Sequence, residues 1–247
     1  MSDRKLTGKA ALITGASKGL GKAMALALAG AGAKLALVSR NREQLDAVAG
    51  EIRAAGGEAQ VFVADVARED QVAHLEREVA AAFGRIHILI NNAGINIRKP
   101  LTDFTLEEWN CVMETNLTSV FLMCRAFVPH MKGQGYGRIL NMTSTMSHVS
   151  LPLRSAYSSS KAALLGLTRA LALELAPEAI TVNGISPGPF ATEMSRVVAT
   201  RRHGDAATRR PPATPGDLSR HGEYSKLSRA ECLSERDQCR DVHLSNY

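Results

Sequence analysis

Tyr157 and Lys161 stand four residues apart at the head of residues 157–175, a run whose apolar positions recur with helical spacing. On a helix that interval sends both side chains off the same face, so a phenol and an ammonium are held together. A phenol titrates near pH ~10. Proton transfer near neutrality therefore needs its anion favoured by roughly two to three pH units, about 3–4 kcal/mol, and a neighbouring lysine is one way to supply that. Thirteen positions before the tyrosine, Ser144 lies at the end of residues 138–142, a short apolar run that reads as a buried strand. A hydroxyl there could donate to a substrate oxygen that Tyr157 protonates. By itself a Tyr-x-x-x-Lys pair is weak, since surface pairs at this interval are common on ordinary helices.

The elements that must position these groups are visible upstream. Residues 9–14 form an apolar run that breaks into the turn Gly15-Ala16-Ser17-Lys18-Gly19-Leu20-Gly21, followed by a helical pattern over residues 22–31. Strand, glycine turn and helix make the setting in which backbone N–H groups meet a pyrophosphate. The spacing is Gly-x-x-x-Gly-x-Gly, not the Gly-x-Gly-x-x-Gly fingerprint. A second apolar run, residues 34–39, ends at Ser39 and Arg40, where a dinucleotide fold meets the adenosine ribose. An arginine there suits a 2′-phosphate, and Lys18 adds a second cation, so NADP is expected over NAD.

Residues 41–55 read as a helix stopped by Gly56 and Gly57, residues 59–66 as a third strand carrying Asp65 and Val66 at its end, and residues 69–83 as a helix stopped by Gly84. Residues 86–94 form a fourth strand running into Asn91, Asn92, Ala93 and Gly94. A capping box, Thr105 to Glu108, opens a long helix through residue 131, in which Trp109, Val112, Phe121 and Phe127 are expected to pack on the sheet. Asn116 sits inside that helix, where an amide competes for backbone partners and therefore hints at a local task. Regular alternation of strand and helix predicts an α/β, doubly wound parallel sheet whose strand ends gather at one ligand-binding edge.

Composition narrows the class. With 247 residues, 45% of them hydrophobic, the chain can fill one large α/β core. Its polar start and the want of a long apolar stretch predict a cytoplasmic protein with no membrane partner. The formal charge of +6 is spread without aromatic platforms, which argues against nucleic acid and for an anionic cofactor. Cys111, Cys124, Cys232 and Cys239 lack a disulfide framework, so reduced thiols are expected; Cys232, Cys239 and His243 lack a second ligand arm, so no metal is.

Taken in order, Thr14 to Gly21, Asp65-Val66, Asn91 to Gly94, Asn116, Ser144, Tyr157-x-x-x-Lys161, Asn183 to Gly188 and Thr192 resemble the short-chain dehydrogenases/reductases over about residues 5–195. The resemblance implies a Rossmann-type domain over residues 1–195, a nicotinamide cofactor and a small-molecule carbonyl or alcohol substrate. Catalysis would rest on Asn116, Ser144, Tyr157 and Lys161. Tyr157 would be the general acid/base and Ser144 the carbonyl polariser. Lys161 would hold the nicotinamide ribose, and Asn116 a water linking Lys161 to solvent. Cofactor contacts would come from Gly15, Ser17, Lys18, Gly19, Leu20, Gly21, Arg40, Asp65, Val66, Asn92, Ala93, Gly94, Tyr157, Lys161, Pro187, Gly188 and Thr192.

Residues 94–109 look most like the sugar-acid branch, such as gluconate 5-dehydrogenase, with Arg98 for a substrate carboxylate beside Ser144 and Tyr157. The alternative within the family is 3-oxoacyl-carrier-protein reductase. Beyond residue 195 the pattern stops: residues 196–247 contain no Ile, Phe, Met or Trp and read as a basic, disordered tail. The family's two later helices and last strand are not recognisable there. That tail has the character of a shifted reading frame or of a lineage-specific extension. It puts the family's homotetramer or homodimer in doubt and opens a third reading, a remnant that only binds nucleotide.

Overall fold

A computed structural model describes residues 4–188 of the chain. Twelve main elements alternate: β1 (Ala10–Thr14), α1 (Gly19–Gly30), β2 (Lys34–Ser39), α2 (Arg42–Ala54), β3 (Glu58–Val63), α3 (Glu69–Phe83), β4 (Ile88–Asn91), α4 (Leu106–Met113), α5 (Ser119–Phe127), β5 (Gly137–Met142), α6 (Ser155–Leu175) and β6 (Ile180–Ile185). The six strands pair in parallel in the order β3-β2-β1-β4-β5-β6. This is the doubly wound, Rossmann-type sheet that the strand–helix alternation predicts, with the order of strand addition reversing between β1 and β4.

Side-chain alternation along the strands divides the core into two layers. Leu12, Ala36, Val38, Leu89 and Ile139 face α3, α5 and α6 through Val72, Leu75, Val79, Phe127 and Leu164. Ala11, Ile13, Leu35, Leu37 and Ile90 face α1 and α2 through Ala25, Leu45, Val48 and Ile52. Neighbouring residues of one strand thus enter opposite layers, as a period of two requires, and β1 and β4 are buried along their whole length.

Helix limits follow their local signals. Asn41 Oδ1 accepts from Gln44 N at 2.9 Å to cap α2, and Gly84, at φ +68°, ends α3 where the stop was expected. Two limits differ. Helix α1 begins at Gly19, inside the glycine turn, and β3 ends at Val63, so Asp65 and Val66 lie on the following turn rather than on the strand. The capping box is formed, with Thr105 Oγ1 accepting from Glu108 N at 3.1 Å and Glu108 Oε2 accepting from Thr105 N at 2.9 Å.

The long helix it opens is not uniform. A π-helical turn, Glu114–Thr118, separates α4 from α5 and contains Asn116; such turns insert one extra residue per turn and recur at functional sites. Leu106–His130 as a whole is long and apolar enough to span a membrane by length and composition, which corrects the expectation that no such stretch exists. Its α5 segment buries Val120, Met123 and Phe127 in the layer beside α3, the position of a core helix. Phe127 is buried on the sheet as expected, whereas Phe121 is on the solvent side, 46% exposed, and both Val112 and Trp109 pack with Ile97 and Ala156 in a separate cluster away from the sheet.

Cys124 is a free, buried thiol pushed up to about 12 by burial, so it is not a nucleophile at neutral pH. Thr192, Cys232, Cys239, His243, the 196–247 tail and the expected lack of a last strand all lie outside the described residues.

Candidate active site

Parallel pairing of β1 with β4 brings the glycine turn against the Asn91 to Gly94 segment at the carboxyl edge of the sheet. The Thr14 hydroxyl accepts from the backbone N–H of both Asn92 and Ala93 at 3.0 Å, and Asn92 Nδ2 returns bonds to the carbonyls of Thr14 at 3.0 Å and Gly15 at 3.1 Å. Two of the glycines are obligatory for this approach. Gly15 adopts φ +63°, and a Cβ on Gly21 would stand 2.1 Å from the Gly15 carbonyl oxygen, so a side chain would drive α1 out of the turn. Lys18, the residue before α1, makes no side-chain cap, which leaves the first-turn N–H groups for an anion. Ser17 and Leu20 are half-buried on the same turn, with Lys18 and Gly19 exposed.

At the ends of β2 and β3 the register pairs Ser39 with Val63, and so sets the following residues side by side. Arg40 Nη1 lies 3.7 Å from Asp65 Oδ2, with 45% and 17% of the two side chains exposed. Asp65 Oδ1 also accepts from Ala67 N at 3.0 Å, a turn bond that holds its carboxylate in place, and Val66 is buried beside it. The pair is long, and its arginine side chain is the more exposed partner.

Lys161 is the electrostatic centre of the edge. It is buried, 5% exposed, and its Nζ donates to the Met142 carbonyl at 2.7 Å. Burial lowers its pKa from the ordinary 10.5 to about 8. The ammonium stands 5.8 Å from the centre of the half-buried Tyr157 ring, so the i,i+4 pair shares a face of α6 as its spacing predicts. A Cβ on Gly94 would come within 3.5 Å of Lys161 Nζ and 3.1 Å of Asn116 Oδ1, which places the Asn-Asn-Ala-Gly segment, the π turn and the lysine together.

Asn116, fully buried, uses its amide on Ile95: Oδ1 accepts from Ile95 N at 2.8 Å and Nδ2 donates to Ile95 O at 2.9 Å and to Ser160 Oγ at 3.0 Å. Ser160 Oγ in turn donates to the Tyr157 carbonyl at 2.7 Å. The amide therefore joins the segment after β4 to the first turn of α6. Ser144 Oγ accepts from Met146 N at 3.1 Å, which leaves its proton free to point outward; no described residue takes a hydrogen bond from it or from the Tyr157 hydroxyl. Pro187 and Gly188 follow β6 and dock on the same turn through Thr145 N to Pro187 O at 3.4 Å. Arg98 is half-buried on the segment between Gly94 and α4.

Two ties were not foreseen. The Met142 carbonyl that holds Lys161 is backbone and carries no residue-type signal. Ser147, whose hydroxyl touches both catalytic segments, sits three residues after Ser144, an interval that could have been read as a cap.

The arrangement is that of an oxidoreductase acting on an alcohol or its ketone, and the chain belongs to the short chain dehydrogenase family, which it matches over residues 9–203. It is similar to gluconate 5-dehydrogenase of Gluconobacter oxydans (strain 621H), 39% identical over 209 residues, covering 84% of this chain and 82% of that one. It is 44% identical over 191 residues to 3-oxoacyl-[acyl-carrier-protein] reductase of Synechocystis sp., with 77% of each chain covered. Among solved structures, a protein assigned as an NAD(P) dependent gluconate 5-dehydrogenase from Beutenbergia cavernae, with NADP bound at low occupancy, superposes with a TM-score of 0.77 at 36% identity, covering 82% of this chain and 80% of that one. The family binds NAD or NADP, and the glycine cradle and uncapped first turn of α1 fit the pyrophosphate of either.

Proposed function

We propose that the protein is an NADP-dependent oxidoreductase that interconverts a ketone and a secondary alcohol on a sugar acid, in the manner of gluconate 5-dehydrogenase. The observation that carries the chemistry is the placement of two hydroxyls without acceptors among the described residues, Ser144 and Tyr157, beside a buried lysine. The nicotinamide, when bound, supplies or removes the hydride. Ser144 donates to the substrate oxygen and orients it; Tyr157 delivers the proton to that oxygen in reduction and takes it back in oxidation. Lys161, charged below about pH 8, favours the tyrosinate left behind. Asn116 holds Ile95 and α6 in register with that lysine and is the residue proposed to seat a water beside it. Residues 1–195 are taken as the catalytic unit.

Charge on Lys161 sets a pH limit. Its ammonium is present below about pH 8 and lost above, so kcat/KM for ketone reduction should fall along an alkaline limb centred near pH 8. A flat profile from pH 7 to 10 would remove Lys161 from the proton-transfer step.

Preference for NADP rests on Arg40 at the end of β2, with Lys18 on the adjoining turn as the second cation. Arg40→Asp should lower NADP affinity by about 10- to 100-fold, the worth of a charge-assisted contact, and change NAD affinity far less. Titration of both nucleotides checks this, and an unchanged ratio contradicts the phosphate assignment. Arg98 is the proposed partner of the substrate carboxylate.

The 44% identity to the Synechocystis reductase favours a second reading, reduction of a 3-oxoacyl thioester. NADPH oxidation by the purified protein against a panel of keto sugar acids and one 3-oxoacyl thioester separates the two. Nucleotide binding without turnover on any of them would indicate a remnant that retains only the cofactor site.

A further inference from the structure

We propose that Ser147 is a positioning residue, one hydroxyl that fixes the serine and the lysine of the site relative to each other; this rests on the roles assigned above to Ser144 and Lys161. Ser147 Oγ accepts from the backbone N–H of Ser144 at 3.2 Å and donates to the carbonyl of Lys161 at 2.9 Å. A serine hydroxyl has one proton and two lone pairs, and a carbonyl has a second lone pair beyond its helical bond, so both contacts are satisfied together.

The two segments it joins also pack on each other, and the Ser147 hydroxyl adds a hydrogen bond between them. Ser144 begins the short turn Thr145–Ser147 after β5, and Lys161 lies in the second turn of α6. The chain between them exposes Val149 (62%), Leu151 (55%) and Leu153 (43%) and is tied to α6 at the surface, through Ser150 Oγ and Ser158 Oγ at 2.8 Å. Lys161 is held at two points: its ammonium by the Met142 carbonyl, and its backbone by Ser147. The first contact restrains the tip of a flexible side chain. The second fixes the second turn of the helix that carries it against the serine turn.

Ser144 is held in the same way, its N–H by Ser147 and its Oγ by Met146 N. Loss of the Ser147 hydroxyl leaves the N–H of a buried residue without its acceptor and lets the turn rotate, which moves the proton donor against the lysine. Displacements of this size, about 1 Å, cost on the order of 100-fold in rate when the reacting groups must be aligned.

Ser147→Ala, Ser147→Thr and the wild type are compared as full-length protein. The alanine variant should lose about 10- to 100-fold in kcat with nucleotide affinity unchanged, and threonine, which keeps the hydroxyl, should restore most of it. The Lys161 titration, followed by NMR of lysine labelled at Cε, gives a readout independent of turnover: its midpoint near pH 8 should move up toward the ordinary value in Ser147→Ala as the loosened ammonium reaches water. An unmoved midpoint overturns the proposal whether or not the wild type turns over, and so does equal loss in the threonine variant. A wild type whose activity survives Tyr157→Phe would instead overturn the reading of the site itself.

Discussion

Tyr157→Phe lowers kcat by about 10²- to 10⁴-fold, the range supplied by a positioned acid or base, and leaves nucleotide affinity close to that of the wild type. The substitution removes one oxygen and keeps the ring, so the half-buried packing of Tyr157 over the first turn of α6 is retained. No described residue takes a hydrogen bond from that hydroxyl, so its removal leaves no protein group unpaired and stability should stay within about 1 kcal/mol. Kinetics and nucleotide titration on the same preparation give the answer. Parallel loss of turnover and nucleotide affinity would show that the hydroxyl serves binding and not proton transfer.

Lys161→Met should do two things of opposite benefit. Turnover should fall at least as far as in the tyrosine variant, because both the ammonium and its contact with the Met142 carbonyl are removed. Stability at pH 7 should rise. A fall from 10.5 to about 8 corresponds, at about 1.4 kcal/mol per pH unit, to a cost of about 3 kcal/mol for keeping the buried ammonium charged. Leaving the Met142 carbonyl without its donor returns about 1 kcal/mol, so the net gain is about 2 kcal/mol.

The sign follows from proton binding. Between the folded and unfolded values the unfolded chain binds the proton more tightly, so the lysine's cost is fully present below about pH 8. It fades between pH 8 and 10.5 and is absent above. Denaturant unfolding of the two proteins at pH 7 and at pH 10 should therefore converge with rising pH. A methionine variant less stable than the wild type at pH 7 would mean that the lysine is a structural tie before it is a functional group.

Much of the frame was open to sequence reading because its signals are local. Helix α3 begins and ends where the apolar period and Gly84 place it, and the Thr105 to Glu108 box forms as its residue types require. The Tyr157 and Lys161 pair is equally local, since four residues of helix fix their common face. Asn116 was marked as unusual by type alone, but its π turn and its bonds to Ile95, 21 residues upstream, needed the fold. Phe121 was misplaced because it stands six residues before Phe127 on α5, about 240° round the helix, so the two cannot face the same layer.

Residue type and short-range spacing determined the α/β class, the glycine turn, the positions of the candidate acid and its lysine, and the limits of several helices, because each depends on contacts within a few turns of chain. The tertiary structure alone decided how far the lysine is removed from water, that Arg40 faces Asp65 across the β2–β3 register, and that Ser147 joins the serine turn to α6. Those are distances between segments far apart in the chain, and they follow from strand register and layer packing, which no local pattern encodes.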